Sequence, residues 1–105
     1  MFLPITPGTA TAANGAATLN QDAGTITTES LSTAGGSTYT LALGCDQVTP
    51  NSIVQTSLAY GTATQGDPDI SRVTPGNGVV TIIVANRAAS TALNGTLKIG
   101  FVVFN

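Results

Sequence analysis

The sequence predicts an all-β fold, namely an antiparallel two-sheet β-sandwich of about seven or eight strands. Short segments in which apolar and polar residues alternate recur along the chain. Clusters of Gly, Pro and Asn separate these segments, and no window has the 3.6-residue period of an amphipathic helix. The pattern leaves open whether the sandwich is a jelly roll or an immunoglobulin-like Greek key.

The first part of the chain contains four predicted strands. Residues 18–20 and 25–28 carry β-branched and apolar side chains, and the Asp-Ala-Gly of residues 22–24 separates them. Residues 37–43 alternate clearly, and we expect their apolar face to point inward; it comprises Tyr39, Leu41 and Leu43. Residues 53–60 also alternate, with Val54, Thr56, Leu58 and Tyr60 on one face and Gln55 and Ser57 on the other.

Three more strands are predicted in the second part. Residues 69–73 are short and polar, which favours an edge position. Residues 79–85 are almost continuously apolar, as in a central strand that is covered on both faces or meets a partner. In residues 96–104, the predicted inner face is apolar throughout: Leu97, Ile99, Phe101 and Val103. The outer face becomes apolar only at its end: Lys98, Gly100, Val102 and Phe104.

Three Asn-Gly pairs predict tight turns between strands, because Asn and Gly tolerate the positive φ angles of such turns. They are Asn14-Gly15, Asn77-Gly78 and Asn94-Gly95.

The chain has few charges, which bounds the kinds of partner it can bind. Charged residues make up 8 % of it, against about 25 % in an ordinary soluble domain. The neutral, hydroxyl-rich surface this implies suits close association with other proteins. Nucleic-acid binding needs a basic cluster, but Arg72, Arg87 and Lys98 are scattered. We therefore expect no nucleic-acid partner. We also expect no membrane partner, because no apolar run approaches the roughly 20 residues that cross a bilayer.

The residue types that carry catalysis are scarce. The chain has no histidine, which excludes Ser-His-Asp and Cys-His arrangements. Asp67 and Asp69 lie on a predicted loop, but Ca²⁺ usually takes about six to eight oxygen ligands and no further carboxylate is near in sequence. The only cysteine, Cys45, is expected to be a buried apolar residue. We therefore predict a protein that is not an enzyme and has no metal or cofactor.

One domain is expected over residues 16–105, preceded by an extended arm or edge segment over residues 1–15. The start of this segment combines large apolar residues with two prolines, which exclude a helix. Such a segment either folds back on its own sheet or docks on a neighbouring subunit. With the apolar outer end of the last strand, it forms a predicted partner interface: Phe2, Leu3, Ile5, Val102 and Phe104.

In the turn and strand patterns of residues 24–43, 72–86 and 94–101, the chain resembles a family of short β-domains found among tailed-bacteriophage virion proteins. The resemblance covers most of the chain after Asn20 and contains no catalytic motif. It implies a structural role in the virion. A chain of 105 residues lacks the shaft or trimerising segment expected of a tail fibre, so a small head decoration (cement) protein is the expected type.

The expected function is therefore non-enzymatic decoration of the capsid surface. The protein would bind the major capsid protein and copies of itself, as a homo-oligomer or within a larger assembly, and stabilise the head. The alternative is a tail fibre, tail tip or receptor-binding module that holds a carbohydrate on Tyr39, Tyr60 or the loop around Asp67. Aromatic residues are few, which makes a sugar-stacking surface harder to build.

Overall fold

A computed structural model describes residues 8–104 of the chain, which form eight strands in two packed four-stranded sheets. The strands are β1 (Gly8–Thr11), β2 (Ala16–Thr18), β3 (Ala23–Thr27), β4 (Thr38–Gly44), β5 (Ile53–Tyr60), β6 (Pro68–Pro75), β7 (Val79–Asn86) and β8 (Leu97–Phe104). Sheet 1 has the order β1-β3-β8-β5, and sheet 2 has the order β2-β4-β7-β6. The predicted all-β, two-sheet sandwich is confirmed.

The longer strands pair antiparallel, but the two short N-terminal strands pair parallel. β1 lies beside β3 and β2 beside β4, each at one edge of its sheet. The sequence pattern did not predict these parallel pairings. They join strands that are distant in sequence, so no local turn signal marks them.

The core lies between the inner faces of the two sheets. Alternate residues of β4, β7 and β8 point into it, as the period-2 pattern predicts. The largest fully buried apolar side chains are Ile26, Leu41, Leu43, Ile82, Leu93, Leu97, Ile99, Val80 and Val84. Cys45 is 1 % exposed, as predicted, and its thiol donates a hydrogen bond to the Gln21 carbonyl oxygen.

The start of β3 corrects the predicted chain break at residues 22–24. β3 already begins at Ala23, and Gly24 pairs with Phe101 on one side and Gly8 on the other. A Cβ atom at Gly24 would lie 2.5 Å from Leu19 Cδ2 and 2.8 Å from the Gly8 carbonyl oxygen. Gly24 is therefore a strand residue that allows a close approach, not a turn residue. The strand predicted at residues 18–20 is also displaced, because β2 ends at Thr18.

The second half of the chain follows the prediction more closely. β5 has the predicted bounds, and β6 lies at the edge of sheet 2, although it is longer than expected. β7 is central within its sheet, between β4 and β6. Within residues 8–104 only one face of β7 is fully buried, and its other face is partly exposed, with Val79 at 36 %.

Two of the three predicted Asn-Gly turns are confirmed. Gly15 and Gly78 have φ angles of 76° and 71°, and each lies in a tight chain reversal. Asn94-Gly95 is different, because Gly95 forms a bridge to Leu31 and accepts its backbone N–H at 2.8 Å. The third prediction is therefore wrong: Gly95 lies where two loops pack closely, and Asn94 instead binds the backbone N–H groups of Thr64 and Gln65.

A buried amide fixes the three loops at one end of the sandwich. Asn86, the last residue of β7, is 1 % exposed. Its Oδ1 accepts hydrogen bonds from the backbone N–H groups of Asp67 and Ala88. Its Nδ2 donates to the carbonyl oxygens of Thr33 and Thr91. All of its hydrogen-bonding capacity is therefore used, and it joins the loop after β7 to two loops that are distant in sequence.

Candidate functional site

The two most exposed large apolar residues of sheet 1 meet on its outer face. Ile53 and Phe104 are paired across β5 and β8, and they are 65 % and 50 % exposed. Val102 lies two residues before Phe104 on the same face of β8 and is half-buried. These three residues form what we call the sheet 1 patch. Because an exposed apolar cluster on a soluble domain often marks an interaction site, the patch is the candidate functional surface.

An open depression of about 320 Å³ adjoins the sheet 1 patch. It exists because Gly100 has no side chain between Ser57 and β3: a Cβ atom there would lie 2.8 Å from Ser57 Oγ. Its lining is uncharged: Ala23, Gly24, Gln55, Thr56, Ser57, Gly100, Phe101 and Val102. The patch and the depression together offer a neutral surface with a recess, which suits a protein segment better than a charged ligand.

The structure places the two predicted interface residues of β8 as expected. Val102 and Phe104 both point away from the core, while Phe101 and Val103 are buried. The other three predicted interface residues, Phe2, Leu3 and Ile5, lie outside the described residues. Sequence reasoning missed Ile53. The signal that could have found Ile53 was its position on the same face of β5 as the polar residues Gln55 and Ser57.

The residues of the alternative carbohydrate site lie in two separate parts of the structure. Tyr60 and Asp67 line a second depression, of about 150 Å³, together with Leu58, Ala59 and Pro68. Tyr60 is 46 % exposed, and its hydroxyl donates to the Gly66 carbonyl oxygen at 2.7 Å. Tyr39 lies on β4 of the other sheet, where its hydroxyl donates to Glu29 Oε1 at 2.7 Å.

Glu29 is occupied by structural hydrogen bonds. Its other carboxylate oxygen, Oε2, accepts the backbone N–H of Gly15 at 2.7 Å, which ties the turn between β1 and β2 to β4 through Tyr39. Burial acts to raise the pKa of Glu29, but the hydrogen bonds from Tyr39 and from backbone N–H groups lower it overall. Burial, then the hydrogen bond to Glu29 and its charge, raise the pKa of Tyr39. The pair is therefore held as a carboxylate and a neutral phenol.

The remaining carboxylates do not converge. Asp69 forms an ion pair with Arg87 at 2.7 Å, with both side chains about half exposed. Within residues 8–104, no group of three or more His, Cys, Asp or Glu side chains is arranged to hold a metal ion. The same part of the chain contains no helix that could cross a membrane.

Comparison with known proteins gives no relative. No protein-family model, no curated protein and no solved structure matches the chain.

Proposed function

We propose that this protein is a non-enzymatic structural protein that binds other protein chains through the outer face of sheet 1. The observation that carries the proposal is the sheet 1 patch, where Ile53 and Phe104 are 65 % and 50 % exposed side by side. Covering such side chains removes apolar area from water, at about 25 cal/mol per Å². A partner that covers the patch therefore gains a favourable contact without having to desolvate a charge.

The more specific proposal is decoration of a phage capsid, on the virion surface. It is supported by the resemblance of residues 24–43, 72–86 and 94–101 to virion β-domains and by the low charge of the chain. In this role many copies bind the major capsid protein, and the same contact is repeated over the shell. Repetition multiplies the stabilisation, since each bound copy opposes separation of the subunits it bridges.

Copy number on purified particles tests this proposal. Quantitative mass spectrometry of a virion that carries the protein should give a number on the order of that of the capsid subunits. Heads separated from tails should retain the protein. A copy number typical of a tail tip, or recovery of the protein in the tail fraction, would reject capsid decoration.

A receptor-binding module is the second candidate, and one observation favours it. Tyr60 and Asp67 line the same depression, which offers an aromatic ring and a carboxylate to a sugar. A glycan array probed with the full chain tests this candidate. Binding that is lost in Tyr60→Ala but retained in Tyr39→Phe would support it, whereas the absence of any glycan signal would reject it.

A further inference from the structure

In the part of the chain that the structure describes, one edge of sheet 1 is a long, regular strand with no strand paired to it. β5 pairs with β8 over all eight of its residues without a register shift, and within residues 8–104 no strand pairs with its other edge. Its sequence contains no charged residue and no proline. Val54, Thr56 and Leu58 face inward but stay half-buried, whereas their neighbours Val103, Phe101 and Ile99 on β8 are buried.

The other sheet edges carry the features by which proteins block strand addition. β1 and β2 are only four and three residues long. β6 is long, but it begins and ends with proline, contains Asp69 and Arg72, and has a register irregularity between Ile70 and Arg72. Short edges, prolines, charges and bulges all disfavour pairing with another strand. β5 is therefore the exception among the four edges of the described sandwich.

The hydrogen bonds of β8 show which groups of β5 face the open edge. The backbone of Leu97 bonds to Thr28, on the β3 side, while the Thr96 carbonyl oxygen accepts from Gly61, on the β5 side. Because bonding direction alternates along an antiparallel strand, the pairs that contain Lys98, Gly100, Val102 and Phe104 bond towards β5. The N–H and C=O groups of the alternate β5 residues then point to the open edge: Val54, Thr56, Leu58 and Tyr60.

The geometry points to a second copy of this chain as the partner of this edge, with the two β5 strands antiparallel about a two-fold axis at Ser57. In that register Val54 pairs with Tyr60 of the partner subunit, and Thr56 pairs with Leu58 of the partner subunit. The backbone N–H and C=O groups of all four edge residues then form hydrogen bonds across the axis. The strand is neutral, so no like charges meet across the axis. The result is one continuous eight-stranded sheet. This dimer does not depend on capsid binding.

Sedimentation velocity of the full chain tests the dimer and its edge. The wild-type chain should sediment as a dimer. Thr56→Pro should be a folded monomer, because the Thr56 N–H faces the open edge and its loss breaks no bond to β8. A wild-type monomer at all concentrations, or a Thr56→Pro dimer as strong as wild type, would overturn the proposal. So would a dimer that persists in Thr56→Pro but is lost when residues 1–7 are removed.

A charge exchange at the axis tests the register without relying on proline. Ser57→Lys and Ser57→Glu each place like charges opposite one another and should weaken the dimer about tenfold. An equal mixture of the two variants should recover it as a heterodimer. Thr40→Lys, on the exposed outer face of sheet 2, is the matched control and should dimerise like wild type. Failure of the mixture to recover the dimer would contradict pairing at Ser57.

Discussion

At the scale of single residues, the polar side chains that hold several loops or strands together, Asn86 and Glu29, were the least predictable feature. Asn86 follows an apolar strand segment, and nothing in the neighbouring sequence indicates that its amide joins three loops. Its side-chain partners include Asp67 and Thr33, which are 19 and 53 residues away. Glu29 is similar, because its contacts with Gly15 and Tyr39 depend on how the strands pack. Local pattern identifies buried apolar positions but not the polar groups that such packing must satisfy.

Asn86→Ala should lower the free energy of unfolding by about 3 kcal/mol, because it removes a buried amide whose four hydrogen bonds hold backbone groups of three loops. Urea denaturation measures the change. Asn94→Ala is the control, since the Asn94 amide also makes three hydrogen bonds but is exposed, so water can replace them. Its loss should be about 1 kcal/mol or less. Equal losses in the two variants would contradict the structural role given to Asn86.

Glu29 should make the stability of the protein sensitive to acid. Its pKa is lowered in the folded state, so its contribution is present above the unfolded value of 4.5 and is lost as pH falls through the folded pKa. In Glu29→Gln, the free energy of unfolding should therefore fall less steeply below pH 4.5 than in wild type. Tyr39→Phe should reduce the same slope, because it removes a hydrogen bond to the carboxylate. Thermal denaturation across pH measures both, and an unchanged acid slope in Glu29→Gln would refute the assignment.

At the scale of strands, the alternation of apolar and polar residues predicted the features that depend on local sequence, namely strand bounds and buried faces. The bounds of β5 and the inner faces of β4 and β8 follow from period-2 patterning. Residues 22–24 were misread because Asp, Ala and Gly are typical of turns, whereas Gly24 is needed for close contact between β1, β3 and Leu19. Gly95 was misread for the same reason. A glycine required by tertiary packing has the same sequence signature as one required by a turn.

Gly24→Ala should destabilise the protein by about 2 kcal/mol, because the new methyl group would meet Leu19 and the backbone of Gly8. Gly76→Ala is the matched control. A Cβ atom at Gly76 has its nearest contact at 3.4 Å, and Gly76 has no positive φ, so its effect should stay below about 1 kcal/mol. Chemical denaturation of the two variants compares them. A tolerated Gly24→Ala would show that β1 does not pack against β3 as described.

At the scale of the whole molecule, composition predicted a surface with few charges, and alternation in the last strand predicted two of the three residues of the sheet 1 patch. Val102 and Phe104 could be placed on the outer face from alternation alone. Ile53 could not be joined to them, because the pairing of β5 with β8 spans about half of the chain and leaves no local signal. The order of the strands, which decides which exposed residues become neighbours, depends on contacts that periodicity does not encode.

Removal of residues 1–7 should weaken binding to the particle while leaving the sandwich folded, if the apolar residues Phe2, Leu3 and Ile5 contribute to the partner interface. Circular dichroism checks the fold, and co-sedimentation with purified heads checks binding. Unchanged binding would remove these residues from the interface and leave the sheet 1 patch as its only proposed part.

The most direct test of the account is co-sedimentation of a patch variant with phage heads that lack the protein. Ile53→Ser/Phe104→Ser should remain folded, because both side chains are at least half exposed, and should bind about tenfold more weakly or not at all. Val79→Ser, which alters the exposed apolar residue on the outer face of sheet 2, should bind like wild type. Wild-type binding by the double variant would contradict the claim that this protein acts through the outer face of sheet 1.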